Sequence, residues 1–325
     1  GALVYCDGQL HRGGDPLRQP QHLFSTIFSS VGTFADKLRV ARLRWRVSQG
    51  SLEDLFKCSE TSTLAALKAQ GFSDSMIDRF FRPFFSGVFF ERELASSSHM
   101  FEFVFRMLAE GEVALPAGGI GAISMQLAEA LPARSIRTDS PVTQVEEGKV
   151  VLTSGEEVQA RMVVLATDGT ETARLLGEEK PLGTVSCACL YFAAAKPPVA
   201  EPILVLHGEN TGPVTNLAVD SNVSRSYAPS GFSLMQATVV GNPEMADPDL
   251  ESKSRRQLAR WFGPEVDDWR LLRLYRLTKA LPDQRPPTPH PPTQPRPLSP
   301  GLFFFDQDQA NCPLYLPTGW GRLAP

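Results

Sequence analysis

The fold class of this chain is decided by the stretch Met162-Val163-Val164-Leu165-Ala166-Thr167-Asp168-Gly169. Its first five residues are apolar, and a short apolar run of this kind is typical of a buried strand. The run leads directly into a polar turn and then into a helix, which we predict over about residues 170–176. A buried strand that continues straight into a helix indicates an α/β fold.

Short β-like runs precede this strand, and longer ones follow it. Turn signals at Glu147-Gly148 and Ser154-Gly155 divide the earlier runs into a small meander. Among the later strands we expect one amphipathic helix, with Leu250, Leu258 and Trp261 as its apolar residues. The predicted strands cover residues 142–145, 149–152, 162–166, 184–193, 203–206, 214–219, 232–240 and 269–277.

The first third of the chain is predicted to be mostly helical. Thr33 and Asp36 have the spacing of a capping box at the start of a helix. We interpret the basic residues of this helix as a solvated face; a membrane surface or an acidic partner is the alternative. The helix carries Phe34, Leu38, Ala41 and Trp45 at helical spacing, together with Lys37, Arg39, Arg42, Arg44 and Arg46.

Aromatic residues are dense between Phe80 and Phe105. Pro83 should kink or end the helix that begins near Ser73, because proline lacks the backbone N–H and clashes with the preceding turn. The rings either pack as a core between helices or line a substrate cavity. The two interpretations predict a dry aromatic core and one elongated apolar cavity, respectively.

The composition excludes several classes of protein. With 325 residues, 42% of them hydrophobic and 21% charged, the chain can bury a sizeable core and is not wholly disordered. Its net charge of −4 does not indicate a nucleic-acid binder, and the sequence has no apolar run long enough for a membrane-spanning helix.

The five cysteines are scattered along the chain, which favours a reducing intracellular compartment, cytoplasm or plastid. Cys187 and Cys189 share one face of a predicted strand, but no cysteine has zinc spacing, so we expect no metal site.

The notable glycine cluster is Leu115-Pro116-Ala117-Gly118-Gly119-Ile120-Gly121-Ala122, which precedes a helix predicted over residues 124–131. Gly119-Ile120-Gly121 matches part of a dinucleotide fingerprint, but Pro116 interrupts the strand that should feed it and Ser124 stands at the third glycine position. The cluster is either part of an NAD(P) site or a glycine turn whose N–H groups approach a ligand. Serine-hydrolase and phosphate-loop motifs are absent from the sequence.

Four segments in this order are more specific than any one of them: Arg106–Gly111, Leu115–Ile123, Pro141–Val145 and Val163–Asp168. Together they resemble the flavin-containing amine oxidase superfamily, particularly its phytoene-desaturase-like and protoporphyrinogen-oxidase-like branch. Phe80–Phe89 looks like a helix pair of the substrate domain of that family. The resemblance covers about residues 2–304.

The resemblance implies an α/β fold in which an α+β substrate domain is inserted into a partial FAD/NAD(P)-binding Rossmann-like domain. It implies FAD as the cofactor. The backbone of Val142 would bind the adenine edge, and Ala166 and Thr167 would lie against the dinucleotide. The turn at Gly118 and Gly119 would lie toward flavin and substrate. No catalytic acid or base is assigned.

The implied activity is FAD-dependent oxidation or desaturation of an apolar or amine-bearing small molecule. Members of the family begin with G-x-G-x-x-G, which this sequence lacks, and end with a Gly-Asp pair where this chain has Phe305-Asp306. We therefore expect an incomplete cofactor site and weak FAD binding. The alternatives are a non-catalytic ligand- or protein-binding module that retains the fold, and an NAD(P)-dependent reductase. Peripheral membrane contact stays open.

This interpretation also predicts how the chain is divided. We expect a remnant of the FAD-binding domain at residues 1–19, the helical part of the substrate domain at 20–110, an FAD-binding segment at 111–180, the mixed-sheet part of the substrate domain at 181–281, a proline-rich linker at 282–300 and a divergent tail at 301–325.

Overall fold

A computed structural model describes residues 2–13, 31–177, 183–288, 296–299 and 302–304. Two compact units divide the chain. The first comprises Gly1–Ser124 and Thr184–Pro287, and the second comprises Met125–Gly183 and Thr288–Pro325. Phe305-Asp306 and residues 289–295 and 300 of the proline-rich segment lie outside the described residues.

The secondary structure follows the predicted order, and most predicted strands agree with the observed ones to within two residues. The described strands are β1 (Ala2–Cys6), β2 (Gln9–Gly13), β3 (Val142–Glu146), β4 (Lys149–Leu152), β5 (Glu157–Gln159), β6 (Val163–Leu165), β7 (Thr184–Ala194), β8 (Leu204–His207), β9 (Val214–Val219), β10 (Ser233–Val240), β11 (Arg270–Pro282), β12 (Arg296–Ser299) and β13 (Leu302–Phe304). The described α-helices are α1 (Phe34–Val47), α2 (Leu52–Phe56), α3 (Thr63–Ala69), α4 (Asp74–Met76), α5 (Arg82–Phe89), α6 (Ser98–Glu110), α7 (Gly121–Glu129), α8 (Gly169–Leu176), α9 (Asp220–Val223) and α10 (Asp247–Phe262).

Within the described residues, seven strands of the first unit form a mixed sheet in the order β11-β7-β10-β9-β8-β1-β2. Strand β1 pairs with β8 in parallel, and the other neighbours are antiparallel. Residues 2–13 therefore belong to the large sheet, whereas the sequence analysis assigned residues 1–19 to a remnant of the cofactor domain. The reason is a long-range pairing: Val4, which is fully buried, lies opposite Leu206.

Helix α10 covers one face of this sheet. Alternate residues of β7, β9 and β10 pack there against Leu250, Leu258 and Trp261. Because side chains alternate along a strand, the residues between them face the opposite side of the sheet. The sheet residues in this core include Ala188, Leu190, Phe192, Leu217, Val219, Met235, Ala237 and Val239.

The aromatic segment forms a packed core. Phe81, Phe85, Phe101 and Phe103 are at most 1% exposed, and the rings of Phe85 and Phe101 meet edge to face with their centroids 4.9 Å apart. These four rings therefore form a packed aromatic core and not the wall of a cavity.

Pro83 does not end its helical segment, which was one of the two outcomes expected from the sequence. A π-helical turn, Ile77–Phe81, joins α4 to α5, and the N–H of Arg82 donates to the carbonyl of Ile77. Pro83 then lies in the first turn of α5. The proline is accommodated because it follows a π-helical turn and lies in the first turn of α5, where its missing backbone N–H is not needed for a helical hydrogen bond.

The second unit contains the stretch Met162–Gly169, which predicted the fold class. Val163 and Leu165 are buried, β6 pairs in parallel with β13, and α8 follows directly. Asp168 caps this helix, since its side chain accepts a hydrogen bond of 3.0 Å from the N–H of Glu171. Strands β3, β4 and β5 form the expected antiparallel meander. The α/β fold class is confirmed.

Candidate functional site

Three of the predicted cofactor residues lie in the second unit. Ala166 and Thr167 follow β6 at its carboxyl end, which is where ligands bind in open α/β sheets. Val142 begins β3, and its carbonyl accepts a hydrogen bond of 2.8 Å from Nη2 of Arg174 on α8. Ala166 is exposed and presents only a methyl group, whereas Asp168 places a carboxylate at the helix N-terminus. The carboxylate at the helix N-terminus disfavours a phosphate at this strand end.

Gly118 and Gly119 form a turn of the first unit, before α7. Gly119 has a φ of +88°, a conformation that favours glycine. The Oη atom of Tyr227 donates to the carbonyl of Pro116 at 2.8 Å and holds this turn. Residues 112–116 form no strand. The strand that a dinucleotide fingerprint requires is missing, which contradicts the NAD(P) interpretation of this cluster.

The face of the seven-stranded sheet opposite α10 carries polar side chains at its centre. Gln236 on β10 lies opposite Tyr191 on β7, and Thr238 lies opposite Cys189. Tyr275 on β11 also lies opposite Cys189. We define the polar face as Cys187, Cys189, Tyr191, Asn216, Asp220, Gln236, Thr238, Arg273 and Tyr275.

Asp220 is the buried acid of the polar face. It follows Val219, whose side chain packs in the core beneath the sheet, so the alternation directs Asp220 to the polar face. The residue is 7% exposed, and burial raises the pKa of its carboxyl to about 6. No hydrogen bond or ion pair to this carboxyl is found among the described residues. A carboxyl group with a raised pKa on the face of a sheet is a candidate ligand-binding group.

Aromatic rings extend the polar face toward β11. The rings of Tyr191 and Tyr275 are perpendicular, with centroids 5.8 Å apart. The guanidinium of Arg273 lies over the Tyr275 ring, 5.2 Å from its centroid. Burial, with smaller contributions from Cys189 and Asp220, raises the pKa of Tyr191 to about 12, so its hydroxyl stays neutral. Aromatic faces attract cations, and the guanidinium of Arg273 is the cation that lies on the Tyr275 face in this structure.

The two buried thiols of the polar face are not nucleophiles. Burial and the neighbouring Cys189 raise the pKa of Cys187 to about 12. Burial also raises the pKa of Cys189, even though Nε2 of Gln236 donates a hydrogen bond to its Sγ at 3.7 Å. The thiolate is the reactive form of cysteine. The polar face is therefore suited to binding rather than to covalent attack.

Helix α5 closes one end of the polar face. Gly87 lies so close to Asn216 that a Cβ at position 87 would overlap the side-chain amide nitrogen. The Oγ atom of Ser86, next to it, is buried without a hydrogen-bond partner in the described part of the chain. Tyr275, at the other end, is 45% exposed. The polar face is thus covered near β8 and open toward β11.

The sequence analysis did not nominate the polar face. It placed Cys187 and Cys189 on one side of a strand, and the same alternation continues to Tyr191 and recurs at Gln236 and Thr238. The missing information is the register, which pairs residues far apart in sequence, such as Cys189 with Tyr275.

In the described ranges of the chain, no group of three or more His, Cys, Asp or Glu side chains is placed to bind a metal ion. No helix in those ranges has the length and apolar character needed to cross a membrane. Two surface clefts, one along α10 and one beside Gly241 and Pro243, contain none of the polar-face residues.

Comparisons with known proteins agree with this fold. The family model described as flavin containing amine oxidoreductase matches residues 2–306. The chain is similar to an oxidoreductase from Methanosarcina mazei, with a TM-score of 0.66, 18% identity and coverage of 85% of this chain and 68% of that one. It is also similar to a putative protoporphyrinogen oxidase from Exiguobacterium sp. 255-15, with a TM-score of 0.57, 18% identity and coverage of 86% and 68%. No curated protein matches.

A putrescine oxidase redesigned in its cofactor binding is a third similar structure, with a TM-score of 0.58, 16% identity and coverage of 86% of this chain and 72% of that one. The chain therefore spans about two thirds to three quarters of the length of these proteins. At such identities the likeness establishes the fold, an α/β architecture of the FAD-binding amine oxidase type.

Proposed function

Because the chain belongs to the family of flavin containing amine oxidoreductases, which are FAD-dependent enzymes, we propose that it oxidises an amine-bearing small molecule bound on the polar face. The family accounts for the flavin and for the class of reaction, and the substrate and its site are the proposal. One observation carries it. Asp220 is a buried acid beside Tyr191 and has no partner for its carboxyl among the described residues.

Val142, Ala166 and Thr167 are the residues that we propose to hold the adenosine part of FAD. Support comes from their position around α8 and from the small exposed side chain at the end of β6. The Gly118–Gly119 turn is proposed to lie on the flavin side. It is held by Tyr227, which follows the short helix that begins at Asp220. When bound, FAD supplies an acceptor for a hydride equivalent.

Asp220 gives the polar face its selectivity in this proposal. In a low-dielectric environment the attraction between its carboxylate and an ammonium group is stronger than it would be in water. A bound cation favours the ionised carboxylate, so the pKa of about 6 in the free protein would fall when substrate binds. The same group can accept the proton that the substrate nitrogen loses, because burial raises the pKa of the carboxyl again once that nitrogen is neutral. Tyr191 and Gln236 orient the substrate from β7 and β10.

The test compares turnover of amines and of alcohols with the same carbon skeleton by the FAD-loaded chain. We expect Asp220→Asn to lower kcat/KM for amines by about tenfold or more, which corresponds to about 1.4 kcal/mol, and to leave alcohols unaffected. Asp249→Asn, an exposed acid on α10, is the matched control and should change neither.

Two results would contradict the proposal. Turnover of uncharged apolar molecules that Asp220→Asn leaves unchanged would favour the apolar substrate class instead. Stoichiometric FAD without turnover of any amine would favour the non-catalytic module.

A further inference from the structure

Helix α1 directs an apolar stripe away from the protein. Phe34, Leu38 and Trp45 are 62%, 58% and 67% exposed, respectively, and Ala41 between them is also exposed. These residues are at positions i, i+4, i+7 and i+11, which lie on one side of an α-helix. An exposed stripe that contains both Trp and Phe is unusual in a soluble domain and marks an interaction surface.

The opposite side of α1 is anchored in the first unit. Asp36, Leu43 and Val47 are buried. Arg46 donates two hydrogen bonds to the carboxylate of Glu102 on α6, at 2.6 and 3.0 Å. Because this side packs against the protein, the helix cannot turn its apolar stripe inward without breaking these contacts.

Basic residues border the stripe on both sides. At about 100° per residue, Arg42 projects on one border and Lys37 on the other. Arg46 and Arg44 lie next to these borders but are bound to Glu102 and to the carbonyl of Ala109. The single acid of the helix, Asp36, is on the buried side. The outward half of α1 therefore has apolar residues along its middle and cations along its edges. The sequence analysis preferred a solvated basic face, and the structure places apolar residues at the centre of that face instead.

From this arrangement we propose that α1 binds the surface of a membrane that contains anionic lipids. The helix lies parallel to the membrane plane, with Phe34, Leu38 and Trp45 inserted at the interface. The long basic side chains extend sideways to the lipid phosphates, as cationic side chains beside an apolar stripe do at membranes. This surface is distinct from the proposed substrate site.

Charge decides between the possible occupants of the stripe. The chain as a whole has a net charge of −4, so the attraction to anionic lipid is local to α1. A second copy of the chain would bring the cationic borders of two helices together, which is unfavourable. An anionic surface satisfies both borders and the apolar stripe at once.

Vesicle binding of the full chain tests the proposal, with phosphatidylcholine vesicles compared with vesicles that contain about 30% phosphatidylserine. We expect binding at least about tenfold tighter to the anionic vesicles, weakened by salt. Trp45→Ala and Arg42→Glu should each weaken it about fivefold or more. The matched controls are Phe232→Ala, an apolar residue that is 54% exposed elsewhere, and Arg256→Glu on α10. Neither should change binding more than about twofold.

The outcomes separate clearly if the thermal unfolding of each variant is recorded beside its binding. Lack of binding to anionic vesicles by a folded wild-type chain overturns the proposal. Equal losses in the control variants overturn it as well. Binding to a soluble acidic polypeptide without binding to vesicles would show that α1 is a protein-docking surface.

Discussion

Asp36 accepts two hydrogen bonds from Ser73, one from the backbone N–H at 2.9 Å and one from the hydroxyl at 2.6 Å. The same carboxylate accepts hydrogen bonds from the N–H and the hydroxyl of Thr33, at 2.8 and 2.7 Å. Thr33 is the N-cap residue of α1, and Ser73 is the N-cap residue of α4. One buried side chain therefore fixes the starts of two helices that are far apart in sequence.

Replacing Asp36 by alanine should destabilise the first unit by about 3 kcal/mol, because the donors of Thr33 and Ser73 would lose a buried, charged acceptor. Urea unfolding measures this loss. Asp54→Ala is the matched control: Asp54 completes an equivalent capping box with Ser51, but that box is exposed. The control should lose much less stability. Equal losses would show that the contacts with Ser73 contribute nothing.

The Asp36 effect should depend on pH in a defined direction. Burial raises the pKa of this carboxyl, but the hydrogen bonds from Ser73 and Thr33 outweigh burial and hold the pKa at about 2. The stabilisation is therefore complete above about pH 4 and is lost as the pH falls toward 2. The difference in unfolding free energy between wild type and Asp36→Ala should shrink over that range. A constant difference would contradict this.

Substituting Gly87 tests how α5 meets the sheet. Alanine has the higher helix propensity, so Gly87→Ala would stabilise an isolated α5. In the folded chain the new methyl group would overlap the amide of Asn216, which is 7% exposed and has little room to move. We expect a net loss of about 1–3 kcal/mol in unfolding free energy. Gly121→Ala, where a Cβ meets nothing within 4 Å, should be neutral or stabilising.

Local sequence predicted the parts of the fold that local forces determine. The apolar run at β6 and the polar turn that follows it were sufficient to predict a strand followed by a helix. Alternation likewise placed Cys187 and Cys189 on one face. The sequence analysis did not predict that β1 pairs with β8, about 200 residues later. No local pattern encodes that pairing.

The candidate site could not be predicted from the sequence for the same reason. Asp220 is an ordinary acid in the sequence, and only the burial produced by the folded sheet raises its pKa.

For helix α1 the sequence predicted the helix but not the orientation of its apolar face. Its period was correct, but periodicity shows that one face is apolar and not which side that face takes. That is decided by contacts such as Arg46 with Glu102.

Arg273 should compete with a cationic substrate. Its guanidinium lies over the Tyr275 ring, 5.2 Å from the centroid, and occupies the face to which an ammonium group would bind. We expect Arg273→Gln to lower KM for amines by about threefold to tenfold in the FAD-loaded chain, because a like charge is removed. Lys279→Gln on the same strand is the control and should leave KM unchanged. A higher KM in Arg273→Gln would show that the arginine helps to bind the substrate.

Asp220 should destabilise the free protein at neutral pH. Its folded pKa of about 6 lies above the ordinary value of 3.8, so the folded state binds the proton more tightly than the unfolded state does. Stability is therefore highest below about pH 4, falls as the pH rises through 4 to 6 and stays lower above that range. The shift corresponds to about 2–3 kcal/mol. Asp220→Asn, which cannot ionise, should be more stable than wild type by about that amount at pH 7 and equally stable at pH 4. Urea unfolding at the two pH values measures both differences.

The control for this prediction is Asp249→Asn, which should have the same stability as wild type at each pH because the Asp249 carboxyl is exposed. A protein that loses stability on Asp220→Asn at pH 7 would show that the carboxylate has a structural partner, and it would remove the argument for a ligand there. The expected combination, a more stable protein that turns over amines more slowly, is what an unpaired binding group predicts.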